Sequence, residues 1–454
     1  MPTATSERPA ANGAARPAAA PRAARSAAPG AGPGIGPSLG TALAPPLRLP
    51  AEHLLSALAF YVAGGLGLVW MAPVLARGGF ADARVAAVTH LFTLGWITTT
   101  IMGALYQLLP VALGGRVRWP RLGHATFAAH VAGVAAFAGG LATGRTGLVV
   151  AGAGLVAVGL LAFAVHLAVM LRGAARRGVT WGCVAAADAF LVVALTLGFL
   201  LALDLRTGFL GPGRFTLVAL HLHVAAAGWV FLVIIGISRR LLPMFLLSHG
   251  VSEGPGEAAA WLVASGAGVL ALAHHVLPMA AMPAGAGLLA AGGAAFLVQG
   301  WLHFRGRRRP RLDPGLRLVA GALVLLGVAL VLGVTSMLTT AGSPRLHVAY
   351  VTALLVGGLG LFVAGHHYKI LPFLVWHHRF GPVAAERPVP MVSELFSEGP
   401  ALAAVGLQMA GAAGLVASIA AGSPVGARMC AAALALGAIV QAVQLAAVAR
   451  RRPA

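Results

Sequence analysis

Charged side chains are scarce in this chain of 454 residues, and acidic ones are the scarcest. Asp, Glu, Lys and Arg make up 9% of the residues, against about 25% in an ordinary soluble domain. Eleven acids stand against 32 basic residues, of which only Lys369 is a lysine. Together with 59% hydrophobic residues, this composition excludes a water-soluble fold. We therefore expect an integral membrane protein, in which a lipid bilayer explains the excess of basic residues better than a nucleic-acid partner does.

Cysteine is also rare. Cys183 and Cys430 both lie in apolar runs, and neither belongs to a C-x-x-C or C-x-x-C-H motif. The sequence therefore indicates neither a disulfide framework nor covalently attached haem. Histidine is plentiful by contrast, with 16 residues in a chain that has few other polar side chains.

The chain divides into a tail and a membrane domain. Residues 1–50 hold ten of the 28 prolines and five arginines, which predicts a disordered cytoplasmic tail rich in Pro, Ala and Arg. Residues 51–450 contain twelve apolar runs of roughly 20 residues or more, enough to cross about 30 Å of hydrocarbon. The expected fold is an all-α integral membrane protein of twelve transmembrane helices. They are expected near residues 51–76, 85–113, 121–142, 147–172, 180–204, 215–246, 256–280, 282–305, 314–340, 344–376, 399–421 and 424–449.

Basic residues are distributed unevenly between the two sides of these helices. With the N-terminus in the cytoplasm, 25 of the 32 basic residues fall on the cytoplasmic side and 7 on the other. The positive-inside rule then predicts that both termini are cytoplasmic. The expected location is an inner, plasma membrane of bacterial type.

One pattern recurs along the chain. Predicted helices 2 and 6 share His, Gly-Trp, Gly and Leu-Leu-Pro at identical spacing, starting at His90 and His223, and helix 10 retains Gly and Leu-Pro. The terminal prolines, Pro110, Pro243 and Pro372, are 133 and 129 residues apart, and each interval holds four helices. An even number of helices per repeat keeps every copy in one orientation. The sequence therefore predicts three parallel four-helix repeats, and disfavours an inverted-repeat transporter.

Six histidines fall at one depth of the predicted topology, in the outer third of the membrane. Ionisable groups inside a membrane are functional candidates, and imidazole is a common ligand of haem iron and copper. Two of the six lie two positions apart on helix 6 and point roughly 200° apart, so they can serve different centres. The six are His90, His221, His223, His274, His275 and His347.

The other histidines have simpler interpretations. His130 and His166 are expected to form hydrogen bonds with neighbouring helices. Four more lie near the cytoplasmic end of helix 10, beside Lys369 and Arg379, where we expect their polar tips to reach the headgroups. These four are His366, His367, His377 and His378.

Twelve helices in three parallel groups of four, with His-x-His-x4-Gly-Trp and a terminal Pro, resemble the catalytic subunit I of heme-copper oxidases. The resemblance covers about residues 51–450 and is strongest to the C-family cytochrome oxidases and the nitric-oxide reductases. It implies a respiratory-chain oxidoreductase that binds haem b and copper, with cytochrome-bearing or other redox partner subunits. In the implied ligand set, His90, His221, His223 and His347 are cofactor ligands, and the active-site metal is held by His223, or His221 in its place, with His274 and His275.

The ligand set is incomplete. The family places His-x-His on helix 10, where this chain has Tyr350 and Thr352, and helix 7 has no tyrosine. Asp188 is the only acid deep inside a predicted helix, so proton delivery for oxygen reduction is poorly provided for. Three functions stay open: a haem redox enzyme, a non-catalytic haem- or metal-binding or nitric-oxide-response protein, and a metal-free transporter. The sequence assigns no catalytic residue.

Overall fold

Twelve long apolar helices make up the membrane domain, in a computed structural model that describes residues 45–273, 279–338 and 343–453. No strand occurs within these ranges, so the prediction of an all-α membrane protein with twelve spans is confirmed. The first helix begins at Arg48, three residues earlier than expected. The helices are α1 Arg48–Ala76, α2 Ala83–Leu113, α3 Pro120–Thr143, α4 Thr146–Arg172, α5 Val179–Thr207, α6 Gly211–Leu246, α7 Gly254–Ala273, α8 Met282–Arg305, α9 Pro314–Leu338, α10 Pro344–Val383, α11 Glu398–Ala420 and α12 Pro424–Arg450.

Short connections make successive helices antiparallel, so the loops fall at two ends of the bundle. We call the end at which α1 begins the arginine-rich end, because its loops hold Arg116, Arg118, Arg176, Arg177, Arg307, Arg308, Arg309, Arg311 and Arg387. The far end carries the shorter loops 77–82, 144–145, 208–210 and 421–423, whose only basic residues are Arg77 and Arg145.

Helices α2, α6 and α10 each contain an eight-residue π-helical segment. Each segment ends 12 residues before the proline near the end of its helix, so all three lie in the same register. π-Helical turns are rare and occur frequently at functional sites. The segments are Leu91–Thr98, Val224–Phe231 and Ala353–Gly360.

A glycine in each π segment lets the preceding helix approach closely. A Cβ atom added at any of the three would lie 2.6–2.9 Å from a side chain of that helix, closer than real Cβ atoms come. The contacts join α1 to α2, α5 to α6 and α9 to α10. The three pairs are Gly95 with Phe60, Gly228 with Phe190 and Gly357 with Leu325.

Two tryptophans link the π segments to one another. Trp229 of α6 donates its indole N–H to the Thr98 hydroxyl, 3.2 Å away. Trp96 of α2 donates to the Gly360 carbonyl at 3.4 Å. Both acceptors are the last residues of their π segments. Helix α10 has Gly358 at the corresponding position, so it cannot donate a third bond of this kind.

Candidate functional site

A large cavity lies between α1–α6 and α10 at the far end of the bundle, and its volume is about 710 Å3. Pockets that hold small molecules and cofactors span about 300–1,000 Å3. Most of the lining is aliphatic or aromatic, from residues such as Leu68, Phe137 and Val156. The cavity reaches the surface beside Phe80 and Phe215, which are 52% and 55% exposed. A molecule of cofactor size therefore has both room and access.

Four histidines line this cavity, and we call it the histidine cavity. They are His90 on α2, His221 and His223 on α6, and His347 on α10. All four come from the six that the sequence predicted as ligands. The other two, His274 and His275, lie outside the described residues.

The four rings share one hydrogen-bonding arrangement. In each, Nδ1 lies 2.7–3.2 Å from a backbone carbonyl oxygen, which can only accept a hydrogen bond. In the neutral imidazole Nδ1 therefore carries the proton, and Nε2 keeps a free lone pair. Metal-binding histidines are typically oriented in this way. The carbonyl partners are Ala86 for His90, Ala194 for His221, Ala219 for His223 and Ser343 for His347.

His90 and His221 form a close pair in the lining of the cavity. Their ring centroids are 6.3 Å apart and their planes are within 23° of parallel. Two imidazoles that bind one ion from opposite sides have centroids roughly 6 Å apart, because each metal–nitrogen bond is about 2.0–2.1 Å. Gly198 leaves space for the second ring, since a Cβ atom there would lie 2.9 Å from Cε1 of His221. The spacing of the pair fits a single metal centre.

His223 has a different partner. The Tyr350 hydroxyl lies 3.2 Å from its Nε2, and with Nδ1 protonated this nitrogen accepts the hydrogen bond from the phenol. In the sequence, Tyr350 was notable only because it occupies a position where the resemblance implies a histidine ligand. Its spacing was nevertheless informative, because Tyr350 follows His347 by three residues and so shares its helix face.

No group of three or more His, Cys, Asp or Glu side chains in the described part of the chain could hold one metal ion. The predicted three-histidine set of His223, His274 and His275 includes two residues outside that part, so it stays a prediction. Among the described residues, the candidate metal site consists of two histidines, His90 and His221.

The prediction for the histidines near the C-terminal end of α10, at the arginine-rich end of the bundle, was wrong for two of the four. His366 is 7% exposed and His367 is fully buried, so neither reaches the headgroup region. The His367 ring stacks on Trp96 with centroids 4.8 Å apart, and its Nε2–H donates to the Leu54 carbonyl. The reason is that α10 is the most enclosed of the twelve helices, with 83% of its most apolar stretch buried by its neighbours.

A scan against known protein families and a search of curated proteins both found no match to this chain.

Proposed function

We propose that this protein binds haem b in the histidine cavity, where His90 and His221 are the residues that would hold the iron. The observation that carries the proposal is the pair of nearly parallel imidazoles, 6.3 Å apart, in an apolar cavity of about 710 Å3. It agrees with the resemblance to heme-copper oxidase subunit I, which implies a haem ligand at His90.

The residues of the cavity fit haem in two ways. Both Nε2 atoms are free to bind iron, because both Nδ1–H groups donate to backbone carbonyls that also hold the rings in orientation. Aliphatic and aromatic walls suit the faces of a porphyrin and exclude water. His223 is the weaker candidate for a haem ligand, because the Tyr350 hydroxyl already bonds to its Nε2.

Haem held by two histidines supplies a one-electron carrier whose potential depends on its ligands and surroundings. The protein's own residues then have distinct tasks. His90 and His221 would hold the iron, and the apolar lining would keep water from it. Tyr350 holds a proton at its hydroxyl, directed at Nε2 of His223 and next to the space in which a small molecule would sit. The resemblance makes three further predictions that stay open. They are copper at His223 with His274 and His275, turnover of oxygen or nitric oxide, and redox partner subunits.

We also infer that the twelve helices are three parallel four-helix repeats, with both termini on the cytoplasmic side of a bacterial-type inner membrane. Support for the repeats comes from the π segments in equal register, the three equivalent glycine contacts and the tryptophan links. Support for the orientation comes from the excess of arginine at the arginine-rich end.

Haem binding can be tested directly on the purified full-length protein. We expect a pyridine haemochrome spectrum of haem b and the low-spin electron paramagnetic resonance signal of a ferric haem with two imidazole ligands. His90→Ala and His221→Ala should each remove the low-spin signal.

The matched control is His223→Ala, which removes a histidine of the same cavity and should retain the signal. Purified wild-type protein that contains no haem and takes up none would refute the proposed function. A His221→Ala protein with an unchanged spectrum would refute the ligand pair.

A further inference from the structure

The connection between α8 and α9 is the densest run of basic residues in the chain. Five of the seven residues from 305 to 311 are arginines. The one acid that follows, Asp313, pairs with Arg309 at 2.7 Å and with Lys369 at 2.6 Å. No carboxylate of the described residues pairs with the other four arginines, so the protein does not neutralise their charge. The four are Arg305, Arg307, Arg308 and Arg311.

The neighbouring segment does not supply the missing acids. Glu253 and Glu257, around the start of α7, both pair with Arg239 of α6. Gly306 packs against Val251 of the same segment, since a Cβ atom added at Gly306 would lie 2.8 Å from Cγ2 of Val251. The unpaired arginines therefore lie beside carboxylates that already have a partner.

Trp301 indicates the depth of this connection in the membrane. The residue is 54% exposed on α8, and only 28% of the most apolar stretch of α8 is buried by other helices. Tryptophan on a lipid-facing surface is enriched at the level of the headgroups. The guanidinium carbon of Arg305 lies 5.0 Å from the centre of the Trp301 ring, which is within cation–π range. Arg305 follows Trp301 by one helical turn and is therefore at the depth of the lipid phosphates.

The far end of the bundle offers a matched comparison. There the guanidinium of Arg84 lies over the ring of Trp70 at 5.7 Å, and Trp70 is 50% exposed. The carboxylate of Asp82, however, pairs with Arg84 at 2.6 Å. The same arrangement of arginine and tryptophan is thus neutral at the far end and positively charged at the arginine-rich end.

The connection is fixed in place by the protein itself. The backbone N–H of Arg308 donates to the Leu246 carbonyl of α6 at 3.2 Å. At the other end of the connection, the carboxylate of Asp313 accepts a hydrogen bond from the Leu316 N–H at the start of α9, at 3.0 Å. Because the backbone is already ordered, little of its entropy is lost when the arginines bind a ligand.

An exposed apolar side chain beside these arginines favours a lipid over a free anion. Leu247 follows Leu246, the partner of Arg308, and is 43% exposed. Its φ is 54°, and every other positive φ among the described residues belongs to a glycine. Bulky residues avoid this left-handed conformation, and such strain is concentrated at ligand-binding sites. A ligand with both an acidic group and apolar chains can contact Leu247 as well as the arginines.

We propose that this surface binds the headgroup of an anionic phospholipid. We call it the lipid site, formed by Leu247, Trp301, Arg305 and Arg308. The guanidinium groups donate hydrogen bonds to phosphate oxygens, which match their planar fork, and the acyl chains lie along Trp301. Clusters of basic residues at the ends of membrane helices recognise anionic headgroups in this way. The lipid site and the histidine cavity are at opposite ends of the bundle, so the proposal does not depend on haem.

Native mass spectrometry of the full-length protein in detergent counts bound lipids and gives their dissociation constants. We expect dioleoyl phosphatidylglycerol to bind about tenfold or more tightly than dioleoyl phosphatidylcholine, which has the same chains and no net charge. Two arginines account for this factor, since each contributes about fivefold near a membrane surface. The double variant Arg305→Gln and Arg308→Gln should lose the preference. Trp301→Leu keeps both charges and should weaken phosphatidylglycerol binding about twofold or more.

The matched control is the double variant Arg206→Gln and Arg428→Gln, which removes the same charge from two exposed positions at the far end. It should retain the preference, and a large excess of inorganic phosphate should not displace the lipid from the wild-type protein. Three results would each overturn the proposal: equal affinity of the wild type for both lipids, an equal loss of preference in the two double variants, or displacement of the lipid by phosphate alone. None of these measurements requires haem, so the outcome is independent of the test of haem binding.

Discussion

A methyl group at Gly198 tests the proposed ligand pair without removing either histidine. The Cβ atom of Gly198→Ala would lie 2.9 Å from Cε1 of His221, at least half an ångström closer than ordinary contact. The His221 ring therefore has to move, but a metal–nitrogen bond tolerates a displacement of only about 0.2 Å. Overpacking of this kind costs about 1–3 kcal/mol, which corresponds to a loss of affinity of about 5- to 150-fold.

The fold itself should tolerate this change. Gly198 lies within α5, where alanine is favoured over glycine by about 1 kcal/mol. We therefore expect weaker haem binding in a protein whose apo form is at least as stable as wild type. Haem titration followed by absorbance measures the first quantity, and thermal unfolding of the apo protein in detergent measures the second.

Gly139→Ala is the matched control, because Gly139 is also within a helix and an added Cβ atom there meets nothing within 4 Å. It should leave haem affinity unchanged. Equal affinity and an identical spectrum in Gly198→Ala and wild type would contradict the assignment of His221 as a ligand.

Two further substitutions test the surroundings of the cavity. Tyr350→Phe removes the hydrogen bond to His223 and should leave the low-spin haem signal intact; loss of that signal would mean that Tyr350 supports the ligand pair. Asp82→Ala removes the N-cap of α2, whose carboxylate accepts from the Arg84 backbone N–H at 2.8 Å, and should destabilise the protein by about 1 kcal/mol at pH 7. Because hydrogen bonding to Arg84 lowers the pKa of Asp82, this stabilisation is present above the ordinary carboxyl range near pH 4 and disappears as the pH falls through the lowered value. Thermal unfolding at pH 7 and at pH 3 should therefore show a difference between wild type and variant that shrinks in acid, and a difference that grows in acid would contradict the assignment.

The sequence predicted the location of the candidate site better than its internal arrangement. His90, His221, His223 and His347 were grouped by depth alone, and all four line one cavity. Depth follows from counting residues along apolar runs. It carries no information on which way each helix is rotated, so the pairing of His90 with His221 could not be derived in this way.

The group of buried histidines in the first four helices was missed for a related reason. The sequence suggested simple hydrogen bonds for His130 and His166, and it did not single out His53. Their spacing along the chain shows no pattern, because they come from three different helices. Only the packing of α1, α3 and α4 around α2 brings them together.

The sequence by itself determined the class of protein and the number of long apolar helices. Each depends on local composition or spacing: a run of about 20 apolar residues is enough to specify a span. The tertiary structure decided which side chains are buried. His367, for example, lies toward one end of the bundle but is fully enclosed by the other helices. It also decided the π segments, the cavity and the histidine pair. These depend on backbone hydrogen bonds and on contacts between helices distant in sequence, which composition and spacing along one helix do not specify.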